Sequence, residues 1–198
     1  MNLLAHALLA GDDDDVRFGS MIGDFVRGAI DPALPNGVRD GIALHRAVDA
    51  YTDVHAEVVA AHTLFEPPHR RYAGIMLDVW FDHLLAREWT RHAAGSLQAF
   101  SREVQVLLRQ RANELPPRMR GFAAYLHHND LPEAYRERAV IGDVLGGLSQ
   151  RLSRENPLAQ ALPAIEARAL PIRRHFDRFF PALIAFAQDE RRRMRTAR

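Results

Sequence analysis

Apolar residues recur at the three- and four-residue spacing of α-helices along most of this chain, and the alternation typical of β-strands is scarce. Proline-containing segments such as "FEPPH", "ELPPR" and "NDLPE" separate the apolar-periodic stretches. No repeat period or low-complexity linker divides the chain, so we expect one domain over residues 1–198, an all-α multi-helix bundle. The pattern predicts helices at residues 2–10, 17–28, 37–61, 70–93, 96–113, 117–128, 132–152, 157–169 and 172–194.

The segment "IMLDVWFDHLL", residues 75–85, places polar groups inside an otherwise apolar helix. Asp78 and Asp82 stack on one face at i and i+4, while His83 is turned about 100° away. Buried carboxylates are costly unless they are paired or bound to a cation. Two interpretations stay open: a polar stripe that faces water or pairs with Arg87, and a metal site completed by other segments.

A second polar stripe lies in "HRAVDAYTD", where His45, Asp49 and Asp53 follow one another at four-residue spacing. A solvated helix face explains this stripe as simply as a metal or catalytic site does. Two observations favour the site. Val38 and Ile42 make the polar side partly apolar, and a solvated face in this chain is expected to carry Arg and Glu.

Two single residues add to these stripes. His6 interrupts "MNLLAHALLA", and Asp24 lies in "GSMIGDFVRG". Taken alone, His6 is explained as a core histidine and Asp24 as an ion-pair partner of Arg27. Four predicted apolar helices carry Asp or His at positions that can face the protein interior. Together these residues predict a site of oxygen and imidazole ligands. Such ligands suit Mn²⁺ or Mg²⁺, with Fe or Zn as alternatives, and a site of this kind favours hydrolysis.

Composition limits the function classes. The formal net charge is +1, which argues against general nucleic-acid binding, and no apolar run is long enough to span a membrane. The N-terminal segment lacks the basic start of a signal peptide. The chain has no cysteine, which excludes disulfides and thiolate nucleophiles and suits a reducing cytoplasm. We therefore expect a cytoplasmic protein.

Four segments, "MNLLAHALLA", "GSMIGDFVRG", "GIALHRAVDAYTD" and "GIMLDVWFDHLLAREW", resemble in order and spacing the acyl carrier protein phosphodiesterase family. This family, also called acyl carrier protein hydrolyase, is considered a distant relative of the HD-domain phosphohydrolases. The resemblance covers about residues 1–90. It departs from expectation at Ser20, where Asn is expected, and in the order of Asp82 and His83, which differs from that of HD enzymes.

The resemblance implies an HD-like helical fold and Mn²⁺-dependent hydrolysis of the phosphodiester that joins 4′-phosphopantetheine to a carrier-protein serine. The products would be apo carrier protein and 4′-phosphopantetheine, and the partner would be holo-acyl carrier protein, which is small and acidic. By segment position, the resemblance transfers function to His6, Asp24, His45, Asp49, Asp53, Asp78, Asp82 and His83.

These expectations give each residue a role. The predicted metal ligands are Asp24, Asp49, Asp78, Asp82, His6 and His45. For catalysis we predict His83 as the proton donor to the leaving serine oxygen, with Asp24 and Arg46 also contributing. The predicted substrate-binding residues are Arg27 and Arg46 at the phosphate oxygens, Asp53 beside the ligands, and Arg70 and Arg71 facing the acidic partner.

Two rival functions stay open at this point. The first is a related phosphohydrolase that acts on a nucleotide or another small phosphoester. The second is a non-catalytic helical protein that binds an acidic partner. The sequence does not indicate an oligomeric state.

Overall fold

The computed structural model describes residues 2–196, which form helices and connecting turns without a β-strand in that range. This confirms the predicted all-α class. The helices are α1 (Leu3–Leu9), α2 (Asp14–Ile22), α3 (Asn36–Val54), α4 (Ala56–His62), α5 (Ala73–Arg87), α6 (Trp89–His92), α7 (Leu97–Gln110), α8 (Pro117–His128), α9 (Arg138–Arg151), α10 (Leu162–Glu166) and α11 (Ala169–Thr196). Short 3₁₀ turns lie at Gly23–Phe25, Arg70–Tyr72, Ala112–Glu114, Glu133–Arg136 and Leu158–Gln160.

The predicted helix over residues 37–61 is two helices, because the chain becomes extended at His55 (φ −68°, ψ 130°). The His55 ring nitrogen Nδ1 accepts a hydrogen bond from the Glu57 amide at 3.2 Å and so caps α4. The predicted helix over residues 17–28 also ends early. It passes into the Gly23–Phe25 turn and then into extended backbone at Val26.

Helices α2 and α3 pack with their backbones in close contact at two glycines. A Cβ at Gly19 would lie 2.2 Å from the Val38 carbonyl oxygen, and one at Gly41 would lie 2.2 Å from the Val16 carbonyl oxygen. No other residue type fits at such a distance without moving a helix. This close crossing brings the end of α2 and the 3₁₀ turn after it against the middle of α3.

Helix α5 runs through the interior and contacts α1, α9 and α11. Phe81 on this helix is fully buried, with its ring centroid 5.4 Å from Phe176 and 5.9 Å from Phe179 of α11. Polar residues on α5 can therefore be buried in the core, as Asp82 and His83 are. Within residues 2–196, every helix is too short or too polar to cross a bilayer.

Candidate metal centre and adjoining cleft

Four polar side chains from three segments meet at one point. His6 comes from α1, Asp24 from the 3₁₀ turn after α2, and His45 and Asp49 from α3. Nε2 of His6 lies 3.1 Å from one carboxylate oxygen of Asp49, and Nε2 of His45 lies 3.1 Å from the other. Nε2 of His45 is also 3.3 Å from an oxygen of Asp24. The structure thus brings together four of the predicted site residues.

Local geometry explains this arrangement. His45 and Asp49 are one helical turn apart and so share a face of α3. The rings of His6 and His45 stack with centroids 3.8 Å apart and an interplanar angle of 19°. The backbone of Gly23 lies directly against the His45 ring, since a Cβ there would be 2.2 Å from Cγ of the imidazole. Gly23 therefore lets the turn that carries Asp24 approach α3.

Ser20 orients the His45 imidazole and also contacts the backbone of His6. Its backbone carbonyl is 2.8 Å from Nδ1 of His45, so that nitrogen donates to it and Nε2 is left to face the carboxylates. The Ser20 hydroxyl donates to the His6 carbonyl oxygen at 3.1 Å. Hydrogen bonds of this kind orient the ligands of many metal sites. The resemblance to the family leads us to expect asparagine at this position. The serine found here contacts both His6 and His45.

The charges in the cluster are strongly coupled. Burial lowers the pKa of His6 to about 4, although Asp49 partly offsets this effect. Burial also disfavours a charged His45, but Asp24 and Asp49 outweigh it and raise its pKa to about 9. Burial opposes the charge of Asp49, yet the two imidazoles hold its pKa well below its usual range. The hydrogen bond from His45 lowers the pKa of Asp24, so both carboxylates are ionised at neutral pH.

The donor set fits a divalent cation. Ligand atoms of His6, His45 and Asp49 all lie within 4.8 Å of one another. His6 is buried, and within the described part of the chain neither of its ring nitrogens has a hydrogen-bond partner of good geometry. A buried polar atom without such a partner is costly, and a cation between these groups would provide a partner for one of the two nitrogens. Two imidazoles and carboxylate oxygens suit Mn²⁺, Fe or Zn better than Ca²⁺.

The two carboxylates of α5 are placed differently. Asp82 is fully buried, and its two oxygens accept hydrogen bonds from the backbone amides of Leu4 (2.8 Å) and Ala5 (3.1 Å). It therefore caps α1 and holds the helix that carries His6. Burial raises the pKa of Asp82 to about 7. Asp78 is half-buried, and burial raises its pKa, with the nearby charges of Asp49 and Asp53 adding to the effect.

His83 is buried, and its described contacts are with residues outside the cluster. Its Nδ1 is 2.8 Å from the carbonyl oxygen of Tyr135, and its ring lies 4.5 Å from that of Trp80. Burial lowers the pKa of His83, and Arg87 and Arg138 add to this effect. Its predicted role as a proton donor stays a prediction, and the described contacts give it a structural role.

The predicted arginines and Asp53 make no described contact with the cluster residues. Arg46 is half-buried and donates from Nη2 to the Val26 carbonyl oxygen at 3.0 Å, which holds the extended segment after Asp24. Asp53 is exposed near the end of α3. Arg27, Arg70 and Arg71 are exposed as well.

A cleft of about 530 Å³ opens beside the cluster, and His6, Asp24 and His45 form part of its wall. Its opposite wall comes from α8 and α9, which the sequence interpretation did not connect with function. Phe122 and Tyr125 resemble ordinary core residues of a helix, so no sequence signal distinguished them. The residues that line the cleft include Phe25, Phe122, Tyr125, Gly147, Leu148 and Arg151.

Comparison with known proteins supports one family. The sequence model described as acyl carrier protein phosphodiesterase matches residues 1–183. The chain is similar to the acyl carrier protein phosphodiesterase of Serratia proteamaculans, with 34% identity over 96% of this chain and 99% of the relative. It is 35% identical to the protein of that name in Yersinia pestis, over 95% of this chain and 98% of the relative. No solved structure matches it. The chain therefore belongs to the acyl carrier protein phosphodiesterase family.

Proposed function

We propose that this protein is a metal-dependent phosphodiesterase that hydrolyses the bond between 4′-phosphopantetheine and the serine of holo-acyl carrier protein. The products are apo carrier protein and free 4′-phosphopantetheine, and Mn²⁺ is the proposed cation. One observation carries the proposal: in a chain of this family, His6, His45 and Asp49 converge beside a cleft of about 530 Å³. The absence of cysteine supports a cytoplasmic location, where carrier proteins would be encountered.

His6, His45 and Asp49 would hold the cation, with Asp24 as a fourth candidate ligand or an immediate neighbour. When bound, a divalent cation supplies positive charge to phosphoryl oxygens and makes a hydroxide nucleophile accessible at neutral pH. His45 has a pKa of about 9 in the metal-free protein, so it must lose a proton before Nε2 can act as a ligand. Cation affinity should therefore weaken as the pH falls.

Three charged side chains near the proposed cation site have separate roles. Asp24 is exposed at the cleft and ionised, so it can accept a hydrogen bond from water next to phosphorus. Arg46 holds the Val26 carbonyl and so fixes the segment in which Asp24 and Arg27 lie. Arg27 is exposed and close in sequence to Asp24, which suits a contact with a non-bridging phosphate oxygen.

The protein partner must approach from outside the cleft. Arg27, Arg70 and Arg71 are exposed, and Arg151 lies exposed at the cleft wall. Exposed cations of this kind favour encounter with an acidic protein and set its register. We include these arginines in the proposed docking surface.

The test is incubation of the purified protein with Mn²⁺ and holo carrier protein, followed by mass spectrometry of the carrier protein. We expect loss of the phosphopantetheine mass with Mn²⁺ and no loss with a chelator. Asp49→Asn should abolish this reaction, whereas His128→Ala, which changes an exposed histidine at the end of α8, should not. An unchanged holo carrier protein in the presence of turnover of a nucleotide ester would favour the alternative phosphohydrolase. If the protein acts on neither holo carrier protein nor a nucleotide ester and does not bind Mn²⁺, the proposal of a metal-dependent phosphodiesterase is wrong.

A further inference from the structure

We propose that the cleft between the metal cluster and helices α8 and α9 receives the pantetheine arm, and that Gly147 keeps this cleft open. This inference rests on the proposed function, since it assigns a place to one part of the substrate. It also assigns a function to α8 and α9, which lie outside the four segments of residues 1–90 that the sequence interpretation used.

The argument begins with the two groups attached to the phosphate. If the phosphodiester lies at His6, His45 and Asp49, one substituent is the serine of a folded protein, and the other is the pantetheine arm. A folded protein cannot enter a cleft of about 530 Å³, whereas this volume lies within the range of about 300–1,000 Å³ that is usual for small ligands. The serine side must therefore stay outside the cleft, and the arm is the part that can enter.

The cleft wall matches the chemistry of the arm. From the phosphate, the arm runs through a methylene to a dimethyl-substituted carbon, then through a hydroxyl-bearing carbon and two amides to a thiol. Phe25, next to Asp24 in the chain, and Phe122 of α8 provide apolar surface, with ring centroids 6.0 Å apart. Tyr125 and Arg151 provide polar groups on the same wall, and the Arg151 guanidinium lies 5.4 Å from the Phe122 ring centroid. A phenol and a guanidinium can donate hydrogen bonds to amide carbonyls.

Gly147 stands in the stripe of α9 that faces the cleft, between Val144 and Arg151 and beside Leu148. A glycine inside a helix costs about 1 kcal/mol relative to alanine. Close packing does not explain this glycine, because a Cβ at Gly147 would have no heavy atom within 4 Å. The missing side chain instead leaves space in the cleft, which an incoming ligand would need.

The same absence of neighbours provides a selective experiment. A Cβ at Gly147 would meet no heavy atom within 4 Å, so Gly147→Phe can direct a ring toward the cleft, and Gly147→Leu can direct a smaller group there. Gly121→Phe is the matched control, since Gly121 lies in α8, is exposed like Gly147, has no heavy atom within 4 Å of its Cβ position and does not line the cleft. Both changes replace a helical glycine by the same residue, so their intrinsic effects on the helix should be similar.

The first measurement is binding of holo and apo carrier protein without added metal, which avoids turnover. Wild type and Gly121→Phe should bind the holo form at least about tenfold more tightly than the apo form, a difference of about 1.4 kcal/mol. Gly147→Phe should bind both forms equally, and Gly147→Leu should give an intermediate ratio. Equal binding of the two forms by wild type, or an unchanged preference in both Gly147 variants, would overturn the assignment.

The second measurement separates this inference from the proposed function. Gly147→Phe should raise the KM for holo carrier protein, with Mn²⁺ affinity measured by calorimetry unchanged, because the cluster residues are not altered. If wild type does not release 4′-phosphopantetheine, the proposed function fails. If wild type does so and Gly147→Phe keeps the wild-type KM, the proposed function stands and the arm does not lie in this cleft.

Discussion

Replacement of Asp82 by asparagine should change how stability depends on pH. Asp82 is fully buried, and burial raises its pKa to about 7 from a usual value of 3.8. Between these two values the native protein holds a proton that the unfolded chain releases. The free energy of unfolding of the wild type therefore falls as pH rises through this window. Above about pH 7 Asp82 is ionised in both states, and its contribution to the free energy of unfolding no longer changes with pH.

The size of the effect follows from the two pKa values. The difference between about 7 and 3.8 corresponds to about 4 kcal/mol, since each pH unit contributes about 1.36 kcal/mol. Asparagine has nearly the same shape but does not titrate. The stability of Asp82→Asn relative to wild type should therefore increase by about 4 kcal/mol from about pH 4 to about pH 8.

The assay is urea unfolding followed by tryptophan fluorescence, with a chelator present, at several pH values in this range. Trp80 and Trp89 are both buried and should report on loss of the core. His6 and His45 are present in both proteins, so their titrations cancel in the difference. Asp143→Asn, at an exposed site on α9, is the control for loss of a surface carboxylate. A difference between Asp82→Asn and wild type that does not change with pH would refute the reasoning.

Three further predictions concern the site and its surroundings. Gly23→Ala should weaken Mn²⁺ binding at least about tenfold in calorimetry, because its Cβ would lie 2.2 Å from the His45 ring; unchanged affinity would contradict the described packing. His83→Gln should lower stability in urea unfolding but keep kcat on holo carrier protein, because its ring bonds to the Tyr135 backbone carbonyl and not to a cluster residue; loss of kcat in a folded variant would restore the proton-donor hypothesis. Arg70→Glu with Arg71→Glu should lower kcat/KM for holo carrier protein without changing Mn²⁺ affinity, and the wild-type kcat/KM should fall as salt is raised. Values that are insensitive to salt and to this double change would exclude docking through these arginines.

The local spacing of residues predicted the fold class and part of the site. His45 and Asp49 share a helix face at i and i+4, so their proximity could be predicted from the sequence. Their contacts with His6 and Asp24 depend on how α1 and α2 pack against α3. The sequence pattern indicated that polar residues of several apolar helices form one site, but it did not indicate which residues are in contact. The break at His55 was missed because the segment has no glycine or proline there and the cap is a histidine ring.

Two other features could not be predicted from local pattern. A buried aspartate on an apolar helix fits a metal ligand and a helix cap equally well, and the amides that Asp82 accepts from lie 78 and 77 residues earlier in the chain. The cleft wall was also missed. Phe122 is spaced like a core residue, and only the folded structure shows that it lines the cleft with its ring near Phe25.

The most direct test of the central claim is an anomalous diffraction measurement at the manganese absorption edge on crystals grown with Mn²⁺. We predict a peak within coordination distance of His6, His45 and Asp49, with Asp24 next to it. The peak should vanish in Asp49→Asn crystals grown in the same way. An anomalous peak beside Asp82 instead of the cluster would contradict the claim that this cluster holds the catalytic cation. So would the absence of a peak in a wild-type protein that releases 4′-phosphopantetheine.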